Sequence, residues 1–172
     1  MHDIIIVGGG HVGLYTASRL AQSGLGVLLL DQKKAIGERI VCTGIIGAEA
    51  FQKFDLPKDT ILGSIQQVRF FSPSEAHFDY HPPDVLAHVV DRTRFNRFFA
   101  DQALQHGARI QTASRVEGIR IKKEGVSVRV VQTDGSESLH EGSVLILATG
   151  VNYKLFEWVG IEAPKSFLSG AQ

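Results

Sequence analysis

The sequence predicts an α/β fold in which a central parallel sheet is flanked by crossover helices and joined by a β-meander. Short apolar runs at residues 4–7, 27–30 and 144–148 are typical of parallel strands that are buried on both faces. Between the first two runs, apolar residues recur at helical spacing. Alternating segments with glycine turns over residues 115–143 predict the meander.

Length and composition set the class of protein. The chain has 172 residues, with 18 Lys and Arg against 18 Asp and Glu. This length predicts one domain with a sizeable core, and the balanced charge gives no basic footprint for nucleic acid. No apolar run is long enough for a membrane span, which leaves peripheral contact with a membrane open. The only cysteine, Cys42, fits a reducing compartment, so a cytoplasmic protein is expected.

The first elements form a strand, a turn, a helix and a second strand. The strand at 4–7 runs into a glycine-rich turn at 8–13, and apolar residues at helical spacing then continue to Gly24. The second strand, at 27–30, ends at Asp31. Because the two strands are joined by a helix within so few residues, we expect them to be parallel, with a right-handed crossover.

The sequence predicts further strands and one more helix after residue 31. Residues 32–90 are predicted to be largely irregular, with one strand at 68–71, and a helix is predicted over 93–106 with Asp91 or Thr93 as its cap. A strand at 109–112 precedes meander strands at 116–122, 126–131 and 136–141. A separate, fully buried strand at 144–148 leads into Thr149 and Gly150.

The glycine-rich turn predicts a dinucleotide site on a Rossmann-like domain. Gly8 would make the tight turn, Gly10 would let a pyrophosphate approach the backbone, and Gly13 would let the helix pack closely on the strand. Asp31, 18 residues after Gly13, can accept hydrogen bonds from the ribose hydroxyls of an adenosine. The same carboxylate would repel a 2′-phosphate, which disfavours NADP. FAD and NAD both carry the ADP group that this turn would bind.

Three pieces of the chain resemble the geranylgeranyl reductase family, within the flavoproteins that have a glutathione-reductase-like FAD domain. The order of elements up to Ala148-Thr149-Gly150 resembles that FAD domain. The stretch Cys42-Thr43-Gly44-Ile45-Ile46 is similar to the family's Cys-Gly-Gly-Gly-Leu, with Thr43 and Ile45 where the family has glycines. The stretch Val90-Asp91-Arg92-Thr93-Arg94-Phe95-Asn96 is similar to its Val-x-Arg-x-x-Phe-Asp motif.

The resemblance implies a set of FAD contacts. The backbone of the glycine-rich turn would meet the pyrophosphate, and the Val116 main chain would bind the adenine. Residues 42–45 would approach the flavin, and the Arg92 guanidinium would contact FAD. The cofactor-binding residues implied in this way, together with those of the turn, are Gly8, Gly10, Val12, Gly13, Asp31, Cys42, Thr43, Ile45, Arg92, Val116, Ala148, Thr149 and Gly150.

The same resemblance implies the domain plan and the reaction. Residues 1–150 would be the FAD-binding domain, with a flavin-proximal insertion at 32–90. Residues 151–172 would begin the connection to a substrate domain that is largely missing. The enzyme would use reduced FAD, with NAD(P)H as one candidate electron donor, to reduce C=C bonds of an isoprenoid chain. No residue stands out as the catalytic acid.

Other interpretations stay open at this point. One alternative is a flavin monooxygenase of the aromatic-hydroxylase type, and another is an FAD-binding module without turnover. A plain NAD dehydrogenase is a third. The sequence does not favour a metal site, because His77, Asp79 and His81 alternate with Phe78 and Tyr80 as on a half-exposed strand.

Overall fold

The computed structural model describes residues 1–168 and divides into two compact units. Unit 1 comprises residues 1–38 and the chain from residue 96 onward, and unit 2 comprises residues 39–95. The predicted single FAD-binding domain over 1–150 stays a prediction. Within the described residues, no helix is both long enough and apolar enough to cross a membrane.

Unit 1 is built on one mixed sheet of six strands. Their bounds are β1 His2–Val7, β2 Val27–Leu30, β8 Arg109–Gln111, β9 Ser114–Ile121, β10 Val126–Gln132 and β11 Glu137–Leu147. In sheet order these are β8, β2, β1, β11, β10 and β9. The first four are mutually parallel, and β11, β10 and β9 form an antiparallel meander.

The two longer helices, α1 (His11–Gln22) and α3 (Arg92–Gln105), form a layer of their own. The ring of Tyr15 on α1 meets Phe99 on α3 edge to face, with ring centroids 5.4 Å apart. Ala17 and Ala103 are fully buried at this layer, as expected for small residues where helices pack closely. Phe95 and Phe99 are buried core residues.

The meander strands of this sheet pack against its strands β1 and β2 through a valine-rich core. This core joins Ile5 and Val7 of β1 and Leu28 and Leu30 of β2 to meander residues Val116, Val126, Val128 and Val130, and to Leu155. Helix α1 and the meander therefore both pack against the parallel strands. The predicted α/β fold class is confirmed.

The predicted break between the meander and the last parallel strand is wrong, because β11 runs unbroken from Glu137 to Leu147. Gly142 marks close packing rather than a turn: a Cβ there would lie 2.9 Å from Cγ1 of Ile5. The strand is not fully buried either, since Val144 is 51% exposed and residues 145–147 are half-buried.

Unit 2 contains more regular structure than the sequence predicted. A three-stranded sheet has the order β3 (Ile45–Gly47), β7 (Ala87–Val90) and β4 (Ile61–Ile65), and the short helix α2 spans Ala48–Lys53. Strands β5 (Val68–Phe71) and β6 (His77–Tyr80) form a separate hairpin. Strands of three to five residues with mixed exposure carry too little hydrophobic periodicity to stand out in a sequence.

Candidate functional site

The glycine-rich turn brings the ends of β1, α1 and β11 into near contact. The N–H of Gly8 donates to the carbonyl of Leu30 at 2.8 Å, and its φ of +116° lies in a region that side chains disfavour. A Cβ on Gly8 would lie 2.3 Å from the carbonyl oxygen of Ala148. A Cβ on Gly13 would lie 2.0 Å from the carbonyl oxygen of Gly8. Gly8 therefore requires glycine for its backbone angle and for packing, whereas Gly13 requires it for packing. The sequence predicted a tight turn at Gly8 and close helix packing at Gly13.

Gly10 differs from its neighbours, because a Cβ there would meet nothing within 4 Å. It is the N-cap of α1, has extended backbone angles, and makes no side-chain cap. The first turn of α1 contains no acidic residue, and Val12 is 58% exposed. Since the first N–H groups of a helix have no acceptor within it, this end offers donors and partial positive charge. Its chemistry fits a pyrophosphate.

Asp31 is held beside the turn by two backbone hydrogen bonds. Its Oδ2 accepts from the N–H of Gly9 at 2.6 Å, and its Oδ1 accepts from the N–H of Lys33 at 2.7 Å. The residue is 8% exposed. A carboxylate has about four lone-pair positions, so each oxygen keeps capacity for a further donor. The carboxylate is therefore fixed in place and still able to accept from a pair of hydroxyl groups.

The backbone of Asp31 also joins β2 to the neighbouring strands. Its N–H donates to Gln111 at 2.9 Å, and its carbonyl accepts from Ser114 at 2.8 Å. Val116 follows two residues later on β9, with its side chain in the core. Only the main chain of Val116 is therefore suited to meet an adenine, which is the form of contact that the resemblance implies.

Residues 148–150 follow β11 next to the glycine-rich turn. The N–H of Ala148 donates to the carbonyl of Val7 at 2.8 Å, and its Cβ would be 3.3 Å from a Cβ on Gly13. The Thr149 hydroxyl donates to the Asn152 carbonyl at 2.8 Å. Gly150 has a φ of +60°. Unit 1 thus brings Gly8, Gly10, Gly13, Asp31 and Ala148 to one end of the parallel sheet.

In unit 2, the stretch from Cys42 to Ile45 forms a tight connection into β3. The N–H of Gly44 contacts the sulfur of Cys42 at 3.4 Å, and its carbonyl accepts from Val90 at 3.0 Å. Gly44 has a φ of +75°, and a Cβ there would lie 2.5 Å from the Val90 carbonyl oxygen. Cys42 and Thr43 are exposed, and Ile45 is 51% exposed.

Arg92 begins α3 close to this connection. Asp91 caps the helix, because its Oδ1 accepts from the N–H groups of Thr93 and Arg94 at 2.9 and 3.0 Å. The Arg92 guanidinium lies over the Phe95 ring, 5.4 Å from its centroid. Its Cγ would be 3.5 Å from a Cβ on Gly44, so unit 2 brings Arg92 and the Cys42–Ile45 stretch together.

Sequence reasoning missed three contributors. Gly9 was not singled out, yet its N–H holds Asp31 and a Cβ there would lie 2.2 Å from Asp31 Oδ2. The Lys33 backbone supplies the second bond to that carboxylate. Gly44 was noted only as part of a motif. The run of three consecutive glycines was a signal for Gly9, whereas the backbone bond from Lys33 has no sequence signal.

The acidic residue of strand β6, Asp79, forms an ion pair with Arg69. Arg69 donates from Nε and Nη2 to the two carboxylate oxygens of Asp79, at 2.6 and 2.8 Å. The hydrogen bond from Arg69 keeps the pKa of Asp79 below its ordinary value. In residues 1–168, no three His, Cys, Asp or Glu side chains are grouped so that they could hold a metal ion.

Comparison with known families identifies the chain. The profile of the pyridine nucleotide-disulphide oxidoreductase family matches residues 2–168. The chain belongs to this family. It is also similar to the digeranylgeranylglycerophospholipid reductase of Methanocella arvoryzae, with 29% identity over 164 residues that cover 93% of this chain and 42% of the relative. The chain thus spans about two fifths of that relative's length.

The chain is also similar to two further proteins. An uncharacterized protein from the 5′ region of nifH2 in Methanosarcina barkeri is 30% identical over 160 residues, which cover 80% of this chain and 84% of that protein. A geranylgeranyl bacteriochlorophyll reductase-like structure from Thermoplasma acidophilum superposes with a TM-score of 0.83 at 21% identity, covering 94% of this chain and 42% of that one. The resemblance to geranylgeranyl reductases that the sequence predicted is confirmed.

Proposed function

We propose that the chain is the FAD-binding part of an oxidoreductase that reduces C=C bonds of an isoprenoid lipid. The arrangement of Gly10 and Asp31 carries the cofactor part of this proposal. It combines an uncapped helix end over open space with a fixed carboxylate that has spare acceptor capacity. Family membership supports a flavin as the cofactor. The isoprenoid part is supported by the name of the Methanocella relative.

The unit 1 residues have distinct proposed roles. The N–H groups of Val12 and Gly13 would bind the pyrophosphate, because they lie at the positive end of α1. Asp31 would accept from the ribose hydroxyls, and the Val116 main chain would contact the adenine. Residues 148–150 would lie along the same side of the cofactor, next to the turn on which they pack.

The unit 2 residues are proposed as contacts to the flavin end, on the strength of the resemblance. Arg92 offers a guanidinium whose position is supported by the Phe95 ring. Cys42 and Thr43 are exposed and can reach a ligand, whereas Ile45 can contribute its backbone.

The proposed reaction adds two hydrogens across a double bond. When bound, FAD would supply hydride-transfer chemistry between an electron donor such as NAD(P)H and one carbon of the alkene. The other carbon takes a proton from solvent or from an acid. The part of the protein described here binds and orients the cofactor, and none of its residues is proposed as the catalytic acid.

The first test is retention of FAD by the purified chain. After saturation with FAD and desalting, the visible spectrum is expected to keep the bands of oxidised flavin, and added NADH should not displace them. A folded chain that retains no flavin but is thermally stabilised by NADH would contradict the proposal, because NAD would then be the ligand of the turn.

A pair of aspartate variants tests the site. Asp31→Ala should weaken FAD binding by about tenfold or more, since it removes the acceptor for the ribose, whereas Asp101→Ala on the exposed face of α3 should not. Isothermal titration with FAD gives both affinities, and circular dichroism checks that both variants are folded. Equal affinities for wild type and Asp31→Ala would remove the ribose assignment.

A further inference from the structure

The short connection between β8 and β9 in unit 1 passes over the end of β2. Strand β8 lies at one edge of the six-stranded sheet and β9 at the other, yet only Thr112 and Ala113 separate them. On one side of this connection Gln111 accepts from the N–H of Asp31, and on the other side Ser114 donates to the Asp31 carbonyl. The connection therefore surrounds the backbone of the residue whose carboxylate is the candidate ribose acceptor.

Ala113 has an unusual backbone conformation within this connection. Its φ is +54°, in the left-handed region, which is uncommon for residues other than glycine and persists only where the surrounding structure holds it. The buried Ser114 supports the turn, because its hydroxyl donates to the Thr112 carbonyl at 2.9 Å and accepts from the Gln132 amide at 3.0 Å. In this conformation the N–H of Ala113 donates to the carbonyl of Lys33 at 2.6 Å.

The backbone of Lys33 links Ala113 to the Asp31 carboxylate. Its carbonyl accepts from Ala113, and its own N–H donates to Oδ1 of Asp31 at 2.7 Å. The other carboxylate oxygen is held from a different part of the chain, by the N–H of Gly9 at 2.6 Å. A change in the Ala113 backbone would release the Lys33 carbonyl and so loosen one of the two donors that fix the carboxylate.

We propose that Ala113 is a positioning residue for the ribose site. Its left-handed backbone holds Lys33, and Lys33 in turn fixes the Asp31 carboxylate before a cofactor arrives. This inference rests on the proposed function, in which Asp31 accepts from the ribose hydroxyls of FAD. A carboxylate that is already ordered strengthens binding, because less conformational freedom is lost when the ligand binds. Ala113 acts through its backbone and is not proposed to contact the cofactor.

Two substitutions of similar size at this position test the proposal. Ala113→Val disfavours a positive φ because valine is branched at Cβ, whereas Ala113→Asn tolerates it. In calorimetric titrations with FAD, Ala113→Val should bind about tenfold more weakly than wild type, and Ala113→Asn should stay within about twofold of it. Circular dichroism checks the fold of both variants. If Ala113→Val does not fold, Ala113→Leu, which is unbranched at Cβ, takes its place with the same expected direction.

A double-mutant cycle with Asp31→Ala separates positioning from a general loss of structure. If Ala113 acts through the carboxylate, Ala113→Val should change the affinity for FAD little when Asp31 is already alanine. An equal fold-loss in both backgrounds would overturn the proposal, because the substitution would then act independently of Asp31. Equal affinities of Ala113→Val and wild type for FAD would also overturn it.

Amide hydrogen exchange in the cofactor-free chain tests the same link without FAD. The Lys33 N–H should exchange about tenfold faster in Ala113→Val than in wild type, and at the wild-type rate in Ala113→Asn. Unchanged exchange in Ala113→Val, or equal acceleration in both variants, would overturn the proposal. This readout also separates the two proposals: faster exchange in a chain that binds no FAD supports the link to Asp31 and contradicts the proposed cofactor. Binding of FAD with unchanged exchange contradicts only the role of Ala113.

Discussion

Replacing Gly9 with alanine tests the contact between the glycine-rich turn and Asp31. An added Cβ would lie 2.2 Å from Asp31 Oδ2, so the carboxylate must move and the 2.6 Å hydrogen bond must break. Gly10→Ala is the matched control in the same turn, since its Cβ meets nothing within 4 Å and its backbone is extended.

The expected loss of stability follows from the hydrogen bond between the Gly9 N–H and the buried Asp31 carboxylate. A hydrogen bond to a charged group contributes about 1.5–3 kcal/mol, and a side chain forced off its rotamer costs about 1 kcal/mol. Gly9→Ala should therefore lower the free energy of unfolding by about 3 kcal/mol, which for a chain of this size is a Tm decrease of about 6–12 °C. Gly10→Ala should stay within about 0.5 kcal/mol of wild type.

Urea unfolding of the cofactor-free proteins, followed by circular dichroism, measures both values. Without FAD, a difference in the free energy of unfolding reports on the protein alone and not on cofactor binding. Equal unfolding midpoints for Gly9→Ala and wild type would refute the reasoning, because Asp31 would then not depend on the turn. A large loss in Gly10→Ala would contradict the open space at that position.

Three further predictions concern other parts of the chain. Arg92→Ala should lower FAD retention after desalting, whereas the exposed Arg94→Ala should not; equal retention by both variants would remove the assignment of Arg92 to the cofactor. Gly44→Ala should destabilise the protein by about 2 kcal/mol or more, because its positive φ disfavours a side chain and its Cβ would strike a carbonyl; an unchanged urea midpoint would contradict this. The pKa of His140 lies below its ordinary value of 6.5, chiefly through burial and then through repulsion by His2. The unfolded state therefore binds more protons, so the free energy of unfolding should fall as pH decreases through about 6.5, and His140→Gln should flatten this decrease in urea titrations at pH 5–8.

The sequence predicted the part of the fold that depends on continuous hydrophobic runs. Strand β2 is found at its predicted bounds, and α1 ends two residues before Gly24, because buried runs and glycines leave strong local patterns. The break predicted near Gly142 was wrong, since that glycine accommodates the Ile5 side chain, a contact distant in sequence. The short strands of unit 2 are defined mainly by backbone pairing, which leaves little trace in residue type.

The candidate site, like the fold, could be predicted only in part from the sequence. The spacing of Gly8, Gly10, Gly13 and Asp31 located the turn and the acid. That the acid is held by the N–H groups of Gly9 and Lys33 could not be predicted, because backbone donors exist at almost every residue and only the folded path selects two of them. Asp31 thus has a structural role in addition to its proposed role toward ribose.

The most direct test of the cofactor site is a calorimetric titration of FAD into wild type and Gly10→Ala. A pyrophosphate in the open space beside Gly10 would clash with an added methyl group. Without cofactor, the methyl group would meet no other atom within 4 Å. Wild type is expected to bind FAD, and Gly10→Ala should bind it about tenfold more weakly or worse while keeping the wild-type Tm. Equal affinities in the two proteins, or wild type that binds NADH and not FAD, would contradict the account.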